Sequence, residues 1–133
     1  MTRVDHKLRD YMTSEPHSIG KDQTLSAAHE LMRAHNIRHL PVLHGGRLAG
    51  LLSMRDLLLI ETLPDVDPTS IRVEEAMTQD IYTAGPDEPL AQVARAMAER
   101  KLGSAVAVEH GRVVGVFTTV DALRALSENI DGA

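Results

Sequence analysis

Two short motifs carry the side chains best suited to bind a ligand. Each is a hydroxyl residue followed three positions later by an aspartate, Ser53 with Asp56 and Thr118 with Asp121. Where a strand meets a helix, such a pair can form a capping box, in which the hydroxyl accepts a backbone N–H and the acid favours the positive helix end. The same groups can instead contact a ligand, because helix N-termini bind phosphate and a carboxylate accepts hydrogen bonds from a sugar diol. The residues alone leave both interpretations open.

The sequence offers no set of residues for covalent catalysis. It has no cysteine, no G-x-S-x-G motif and no phosphate-binding P-loop, so a nucleophile, a base and an orienting group cannot be assembled. We therefore predict that the protein is not an enzyme and requires no cofactor.

Histidines are concentrated in the first third of the chain, and imidazole binds zinc, copper and nickel. They are His6, His17, His29, His35, His39 and His44. Their spacing fits no metal motif, because the helix that holds His35 is expected to end near Asn36, so that His39 need not share its face. We predict no metal site, and a histidine-rich metal-binding stress protein is kept as an alternative.

Composition narrows the class of protein further. A chain of 133 residues with 43% hydrophobic content can form one compact body or two half-size units that share a core. A net charge of −5 and only three aromatic residues argue against nucleic-acid binding. No apolar run approaches the roughly 18–20 residues that span a bilayer, and the charged start does not resemble a signal peptide. We predict a cytoplasmic protein that binds neither nucleic acid nor membrane.

The chain is a tandem repeat without insertions. Residues 8–58 align with residues 73–123 at an offset of 65, the separation of Met12 from Met77. Between the copies, two prolines and alternating acids break both helix and strand periodicity. The predicted organisation is domain 1 at 7–61, a linker at 62–71, domain 2 at 72–126 and a flexible tail at 127–133.

Each copy predicts the same order of helix, short strand, helix, strand, strand and helix. Apolar residues recur at helical spacing after Thr24 and Pro89, and near-continuous apolar runs then indicate covered strands. Neither copy has enough surface to close a core alone. The expected fold class is therefore α/β (α+β), with the two units packed sheet to sheet about a pseudo-two-fold axis.

Three motifs in this order resemble the CBS (cystathionine-β-synthase) domain family, and the resemblance covers nearly the whole chain. The motifs are the opening Tyr11-Met12-Thr13 and Ala76-Met77-Thr78, the strand segments 36–42 and 101–106, and the closing Gly-apolar-apolar-Ser/Thr-x-x-Asp signatures at 50–56 and 115–121. The resemblance implies a pair of CBS domains with two clefts that bind AMP, ADP, ATP, S-adenosylmethionine or NADH as a regulatory ligand. It also implies that Asp56 and Asp121 contact ribose hydroxyls and that Ser53 and Thr118 lie on the phosphate side.

The ligand-binding residues expected from this resemblance fall into two sets. In the first cleft they are Ile19, Ile37, Arg38, His39, Pro41, Ser53, Arg55 and Asp56. In the second cleft they are Tyr82, Thr83, Ala84, Leu102, Gly103, Ser104, Val106, Thr118 and Asp121.

The basic residues of these sets occur only in the first copy. The pairs that differ are Arg38/Gly103, His39/Ser104 and Arg55/Val120. A guanidinium can bind phosphate through two parallel hydrogen bonds, so we expect phosphate in the first cleft, and a nucleoside or nothing in the second. Solvated surface charge remains the alternative for the two arginines.

The sequence thus predicts a regulatory module that binds an adenine nucleotide. The second repeat nearly reaches the end of the chain, so we expect no attached catalytic domain and an output through a homodimer or an unknown regulated protein. The apolar helices at 57–60 and 122–126 are candidate contact faces. A ligand-free dimerisation module, in which both aspartates are only caps, is the alternative.

Overall fold

The structure, a computed structural model, describes residues 5–131; the second repeat has the predicted order of elements, and the first repeat has one additional short strand at Thr13–Ser14. The helices are α1 (Leu25–His35), α2 (Met54–Glu61), α3 (Leu90–Arg100) and α4 (Thr119–Asp131). The strands are β1 (Thr13–Ser14), β2 (Ile19–Gly20), β3 (His39–His44), β4 (Arg47–Ser53), β5 (Thr83–Ala84), β6 (Ser104–Glu109) and β7 (Arg112–Thr118). Mixed helices and sheets of this kind confirm the α+β fold class.

Local signals explain where the central helix of each repeat begins and ends. Thr24 caps α1, because its hydroxyl accepts the backbone N–H of Ala27 at 3.1 Å. Both α1 and α3 end on a left-handed residue, Asn36 with φ 52° and Lys101 with φ 56°. The caps fix the same helix length in both repeats, so the strands that follow start at equivalent positions.

One compact unit spans His17–Ile81 and contains the sheet β2-β3-β4 with α1 and α2. β2 pairs parallel to β3, and β3 pairs antiparallel to β4 through a Gly45-Gly46 turn in which both glycines have positive φ. Leu25, Met32 and Leu57 are fully buried between the helices and the sheet. This register places His39 opposite Ser53 at the end of the sheet.

The other unit joins the chain segment before residue 17 to Tyr82–Ala133, and its sheet has the order β1-β7-β6-β5. Phe117 is 1% exposed and lies in a core with Leu8 and Val93. β1 belongs to the first repeat in sequence and pairs with β7 of the second, with Thr13 opposite Val116.

The opening segment of each repeat therefore packs on the sheet of the other repeat. Thr78, the equivalent of Thr13, exchanges backbone hydrogen bonds of 2.9 Å with Leu51 of β4. Glycine allows a close approach on both strands, because a Cβ at Gly115 would meet the Met12 side chain, and one at Gly50 would meet Met77. Each compact unit therefore contains residues of both sequence repeats. The boundaries of the repeats describe only the duplication of the sequence.

Two segments differ from the predicted local structure. The opening helix of each repeat is a single 3₁₀ turn, at Leu8–Asp10 and Val73–Glu75, because two or three apolar residues suffice only for one turn on the core. α4 continues to Asp131, so residues 127–131 of the predicted tail are helical and the last two residues lie outside the described range. Among residues 5–131, no helix is long and apolar enough to cross a membrane.

Candidate ligand-binding site

A cavity of about 550 Å³ opens in the unit of residues 17–81, where the ends of β3 and β4 meet α2. Its volume lies in the usual range for small-molecule sites, roughly 300–1,000 Å³. Eight residues line it, namely Arg38, His39, Ser53, Met54, Arg55, Leu58, Leu59 and Thr62. The cavity therefore brings together four of the eight residues expected for the first cleft.

Backbone pairing holds the polar end of the cavity in place. The carbonyl of Arg38 accepts the backbone N–H of Met54 at 2.8 Å, which fixes the start of α2 against the start of β3. The Ser53 hydroxyl accepts the backbone N–H of Asp56 at 3.1 Å and caps α2. Since an accepting hydroxyl still has its own proton to donate, Ser53 can cap the helix and contact a ligand at once.

The cavity carries positive charge without a compensating partner. Arg38 and Arg55 are exposed, and neither forms an ion pair with any residue in the described range. Burial and the neighbouring Arg38 lower the pKa of His39, while Asp56 acts weakly in the opposite direction. An anion in this cavity would meet two free guanidinium groups and a neutral imidazole.

Asp56 differs from the capping acid that its motif predicts. Its carboxylate is half-buried and, within residues 5–131, accepts no hydrogen bond. It lies in the first turn of α2 beside the cavity without lining it. Within the described residues, no donor occupies either oxygen of this carboxylate.

Asp121, the counterpart in the second repeat, is 5% exposed and fully engaged. Its Oδ2 accepts the backbone N–H of Thr118 at 3.0 Å and the Thr118 hydroxyl at 3.2 Å. Its Oδ1 accepts Arg124 Nη1 at 3.2 Å and the Thr13 hydroxyl at 3.5 Å. The second motif is thus a complete capping box, and its acid also ties down the opening segment and a neighbouring arginine.

The apolar residues expected to contact a base in the first cleft lie in the core. Ile19 is 8% exposed on β2, Pro41 is fully buried on β3, and Ile37 packs against the same core cluster. None of the three lines the cavity. The cavity wall is apolar through Leu58 and Leu59 instead, which lie one helical turn beyond Met54 and Arg55.

The residues expected in the second cleft are spread over the interior and the surface of their unit. Ala84, Ser104 and Val106 are buried, and Leu102 packs against the core. Tyr82 lies under the guanidinium of Arg100 at 5.2 Å, and Thr83 is exposed beside it on β5. Gly103 is exposed, and its carbonyl accepts the backbone N–H of Thr119 at 3.1 Å, as Arg38 does for Met54.

The sequence contains a signal for several contacts that the expected sets omit. Met54, Leu58, Leu59 and Thr62 recur at the three- and four-residue spacing of one helix face.

An arginine follows Asp121 by three residues, whereas Leu59 follows Asp56 by three. The arginine places a cation on the Asp121 carboxylate and explains part of the difference between the two acids.

Histidines do not form a metal centre in the described part of the chain, where no group of three metal-ligating residues comes together. His29 Nδ1 lies 2.8 Å from Glu61 Oε1, and His6 Nδ1 lies 2.7 Å from the Tyr11 hydroxyl. The rings of His17 and His35 stack with centroids 3.7 Å apart. These contacts pair the imidazoles with neighbours on the surface of each unit.

Comparisons with known proteins match both repeats to one family of domains. The sequence profile of the CBS domain matches residues 8–61 and 73–128. Hypoxic response protein 1 of Mycobacterium tuberculosis is 29% identical over 122 residues, which are 91% of this chain and 85% of that protein.

Two solved structures show the same fold. The CBS domain pair of protein MJ0100, in complex with 5′-methylthioadenosine and S-adenosyl-L-methionine, has a TM-score of 0.85 at 26% identity and covers 95% of this chain and 99% of that chain. Hypoxic Response Protein I with two coordinated zinc ions has a TM-score of 0.77 at 27% identity and covers 90% and 98%.

Proposed function

Because this chain belongs to the CBS domain family, we propose that it is a non-catalytic regulatory module that binds a phosphorylated adenosine ligand in the cavity of residues 17–81. The observation that carries the proposal is the set of Arg38, His39, Ser53 and Arg55 around one cavity, where no acid of residues 5–131 pairs with either arginine. Such a site binds an anion, because guanidinium groups form strong, charge-assisted hydrogen bonds with phosphate.

The adenosyl part of the proposal rests on a structural relative and on Asp56. MJ0100 binds 5′-methylthioadenosine and S-adenosyl-L-methionine on a closely similar fold. A free carboxylate such as that of Asp56 can accept both hydroxyls of a ribose diol. The positive charge of this cavity favours a phosphate over the sulfonium cation of S-adenosylmethionine, since like charges repel at short range.

The second repeat has a structural role in this proposal. Its acid, Asp121, already accepts four hydrogen bonds, and its equivalents of Arg38 and Arg55 are Gly103 and Val120. We therefore propose one phosphate site per chain. The predicted base contacts with Tyr82 and Thr83 in a second cleft stay predictions.

Thermal unfolding and calorimetry with single ligands test the function. AMP, ADP, ATP, NADH, S-adenosylmethionine and zinc are added separately to the full chain. A phosphorylated adenosine at 100 times its dissociation constant stabilises a single-site protein by about 2.7 kcal/mol. We expect the midpoint temperature of thermal unfolding to rise by several degrees with at least one nucleotide and by less with S-adenosylmethionine.

Matched arginine variants locate the site. Arg55→Ala and Arg38→Ala should weaken nucleotide binding by roughly tenfold or more, because each removes a charged hydrogen-bond donor. Arg47→Ala is the control, since Arg47 is exposed on β4 of the same unit and lies outside the cavity. Equal affinity in all three variants would exclude the cavity, and the absence of any nucleotide effect would exclude the sensor function.

Self-association is a second proposed function, and exposed apolar side chains favour it. Leu58 and Leu59 on α2 are 45% and 58% exposed, and four residues of α4 are at least 56% exposed. Those four are Val120, Leu123, Leu126 and Ile130. Monomers rarely expose such faces, so we propose that the module forms a homodimer. A ligand-free dimerisation module would show a dimer by sedimentation with no midpoint shift for any nucleotide.

A further inference from the structure

His39 is a titratable group at the polar end of the cavity. It is the first residue of β3, lies opposite Ser53 in the β3–β4 pairing and lines the cavity beside Arg38 and Arg55. The charged groups that act on its ring are Arg38, from the preceding loop, and Asp56, from the first turn of α2. One cation and one anion therefore act on a half-buried imidazole, and a second cation, Arg55, lines the same cavity.

The empty cavity disfavours the charged form of this ring. Burial is the larger cause and the Arg38 guanidinium the second, and together they lower the pKa of His39 below its ordinary value of 6.5. Near neutral pH the ring is therefore uncharged, with one nitrogen that donates and one that accepts.

A bound phosphate would reverse the sign of the charge in the cavity. A phosphomonoester carries about −1.5 to −2 charges near pH 7 and presents three acceptor oxygens. Together with the Asp56 carboxylate it would outweigh the charges of Arg38 and Arg55, and it would leave net negative charge beside an imidazole that has a nitrogen without a proton. The ring in its protonated form can donate to phosphate from either nitrogen, which the neutral ring cannot do.

We propose that the cavity binds its phosphate together with one proton, taken from solvent and held on His39, so that the empty site has a neutral imidazole and the occupied site an imidazolium. The inference rests on the proposed function, because it needs a phosphate in this cavity. The coupling makes nucleotide affinity depend on pH even though no catalysis occurs.

The direction of this dependence follows from linkage. Proton uptake on binding means that the pKa of His39 is higher in the occupied site than in the empty one. Affinity is then greatest below the lower of the two pKa values and falls as pH rises, by up to about tenfold per pH unit between them. The phosphate itself loses a proton near pH 6 and pulls in the opposite direction, but this contribution is common to all protein variants.

Calorimetry with AMP as the probe tests the coupling. AMP is titrated into the full chain between pH 6 and 8 in buffers with different ionisation enthalpies, which yields the number of protons taken up. His39→Gln keeps a hydrogen-bonding side chain without a titrating group, and His44→Gln is the control at an exposed position at the end of β3. We expect the original chain and His44→Gln to take up more protons than His39→Gln at the same pH.

The outcomes separate this inference from the function on which it rests. If AMP binds and all three proteins take up the same number of protons, the proton coupling is wrong and the nucleotide site stands. If AMP binds to none of them and no other nucleotide of the thermal series shifts the unfolding midpoint, the proposed function fails and this inference fails with it; a nucleotide that does shift the midpoint replaces AMP as the probe. Should His39→Gln not fold, the ring nitrogen shifts of His39 in the original chain, titrated with and without AMP, decide the question. An unchanged His39 pKa overturns the inference.

Discussion

The two signature aspartates occupy equivalent positions in the duplicated sequence and yet have different surroundings. Asp121 is buried and accepts hydrogen bonds from two hydroxyls, a backbone N–H and a guanidinium. Asp56 is half-buried, and no group in residues 5–131 donates to its carboxylate. In a complete capping box the acid accepts the backbone N–H of the capping residue and stabilises the helix end. Where the acid does not accept this N–H, its carboxylate stays free for a ligand.

The residues around the two acids also differ in charge. Asp121 has a cation one helical turn away, Arg124, whose guanidinium it holds. Asp56 has Leu59 at the equivalent position and forms no ion pair within residues 5–131, while Arg38 and Arg55 line the cavity beside it. The duplication therefore produced one site where charge is neutralised within the chain and one where it is not.

Removing the two carboxylates should give the largest difference between the repeats. Asp121→Ala removes a buried carboxylate that accepts four hydrogen bonds and completes the cap of α4, so we expect a loss of about 3 kcal/mol in the free energy of unfolding. Asp56→Ala removes only a favourable charge near a helix N-terminus and should cost less than about 1 kcal/mol. Urea unfolding of both variants measures the two losses directly.

Ligand binding should respond in the opposite order. Asp56→Ala should reduce the midpoint shift caused by nucleotide, while Asp121→Asn, which keeps an acceptor oxygen, should retain it. Equal losses of stability in the two alanine variants would mean that Asp56 is also a structural cap. The contrast between the repeats would then be lost.

Much of the fold follows from local patterns in the sequence. Neighbouring residues alone specify the helix ends and the hairpin. The local features are the oxygen of Thr24, the left-handed residue after each central helix and the Gly45-Gly46 turn. The exchange of opening segments cannot be predicted in this way, because Met12-Thr13 and Met77-Thr78 are identical and do not by themselves distinguish the two sheets. Which sheet they join depends on contacts between residues far apart in the chain.

The candidate site also has one part that the sequence predicts and one part that it does not. Arg38, His39, Ser53 and Arg55 are brought together because they flank one strand pair and one helix start, which the motif itself specifies. The apolar wall could not be assigned from the strand pattern, since a buried Ile19 or Pro41 looks the same in sequence as a residue that touches a base. Leu58 and Leu59 were placed on a contact face by their apolar character, and the structure shows that they also line the cavity.

The signature glycines should reveal a difference of intermediate size. A methyl group at Gly50 would meet both Met77 and the backbone carbonyl of Thr78, whereas one at Gly115 would meet only the flexible side chain of Met12. We expect Gly50→Ala to cost about 2 kcal/mol and Gly115→Ala about 1 kcal/mol, as for overpacked cores. Thermal and urea unfolding of the two variants give both values.

Double variants show whether the methionines are the cause. The coupling between Gly115→Ala and Met12→Ala should be favourable, because the smaller side chain makes room for the methyl group. The coupling between Gly50→Ala and Met77→Ala should be weaker, since the Thr78 carbonyl cannot move aside. Additive effects in both pairs would argue against close packing of the opening segments on these strands.

The smallest effect is expected at an exposed aspartate of the second repeat. Arg9 donates to both oxygens of Asp87, at 2.8 and 3.2 Å, and this hydrogen bonding lowers the pKa of Asp87. The residue equivalent to Arg9 is Glu74 of the second repeat, which pairs with Lys21 at 3.3 Å, and within residues 5–131 Asp22 forms no ion pair where Asp87 has Arg9. Because the folded pKa of Asp87 is lowered, the pair stabilises the fold at neutral pH and loses this effect as pH falls through that pKa.

Arg9→Gln should therefore raise the pKa of Asp87 towards its ordinary value, which carboxyl NMR shifts can follow residue by residue. The change in unfolding free energy should be small at neutral pH, weaker in high salt and absent once Asp87 is protonated, since both side chains are solvent-exposed. A large and salt-insensitive loss would show that this surface pair behaves like the buried Asp121 network. The different roles of Asp121 and Asp56 would then not be explained by how deeply each carboxylate is buried.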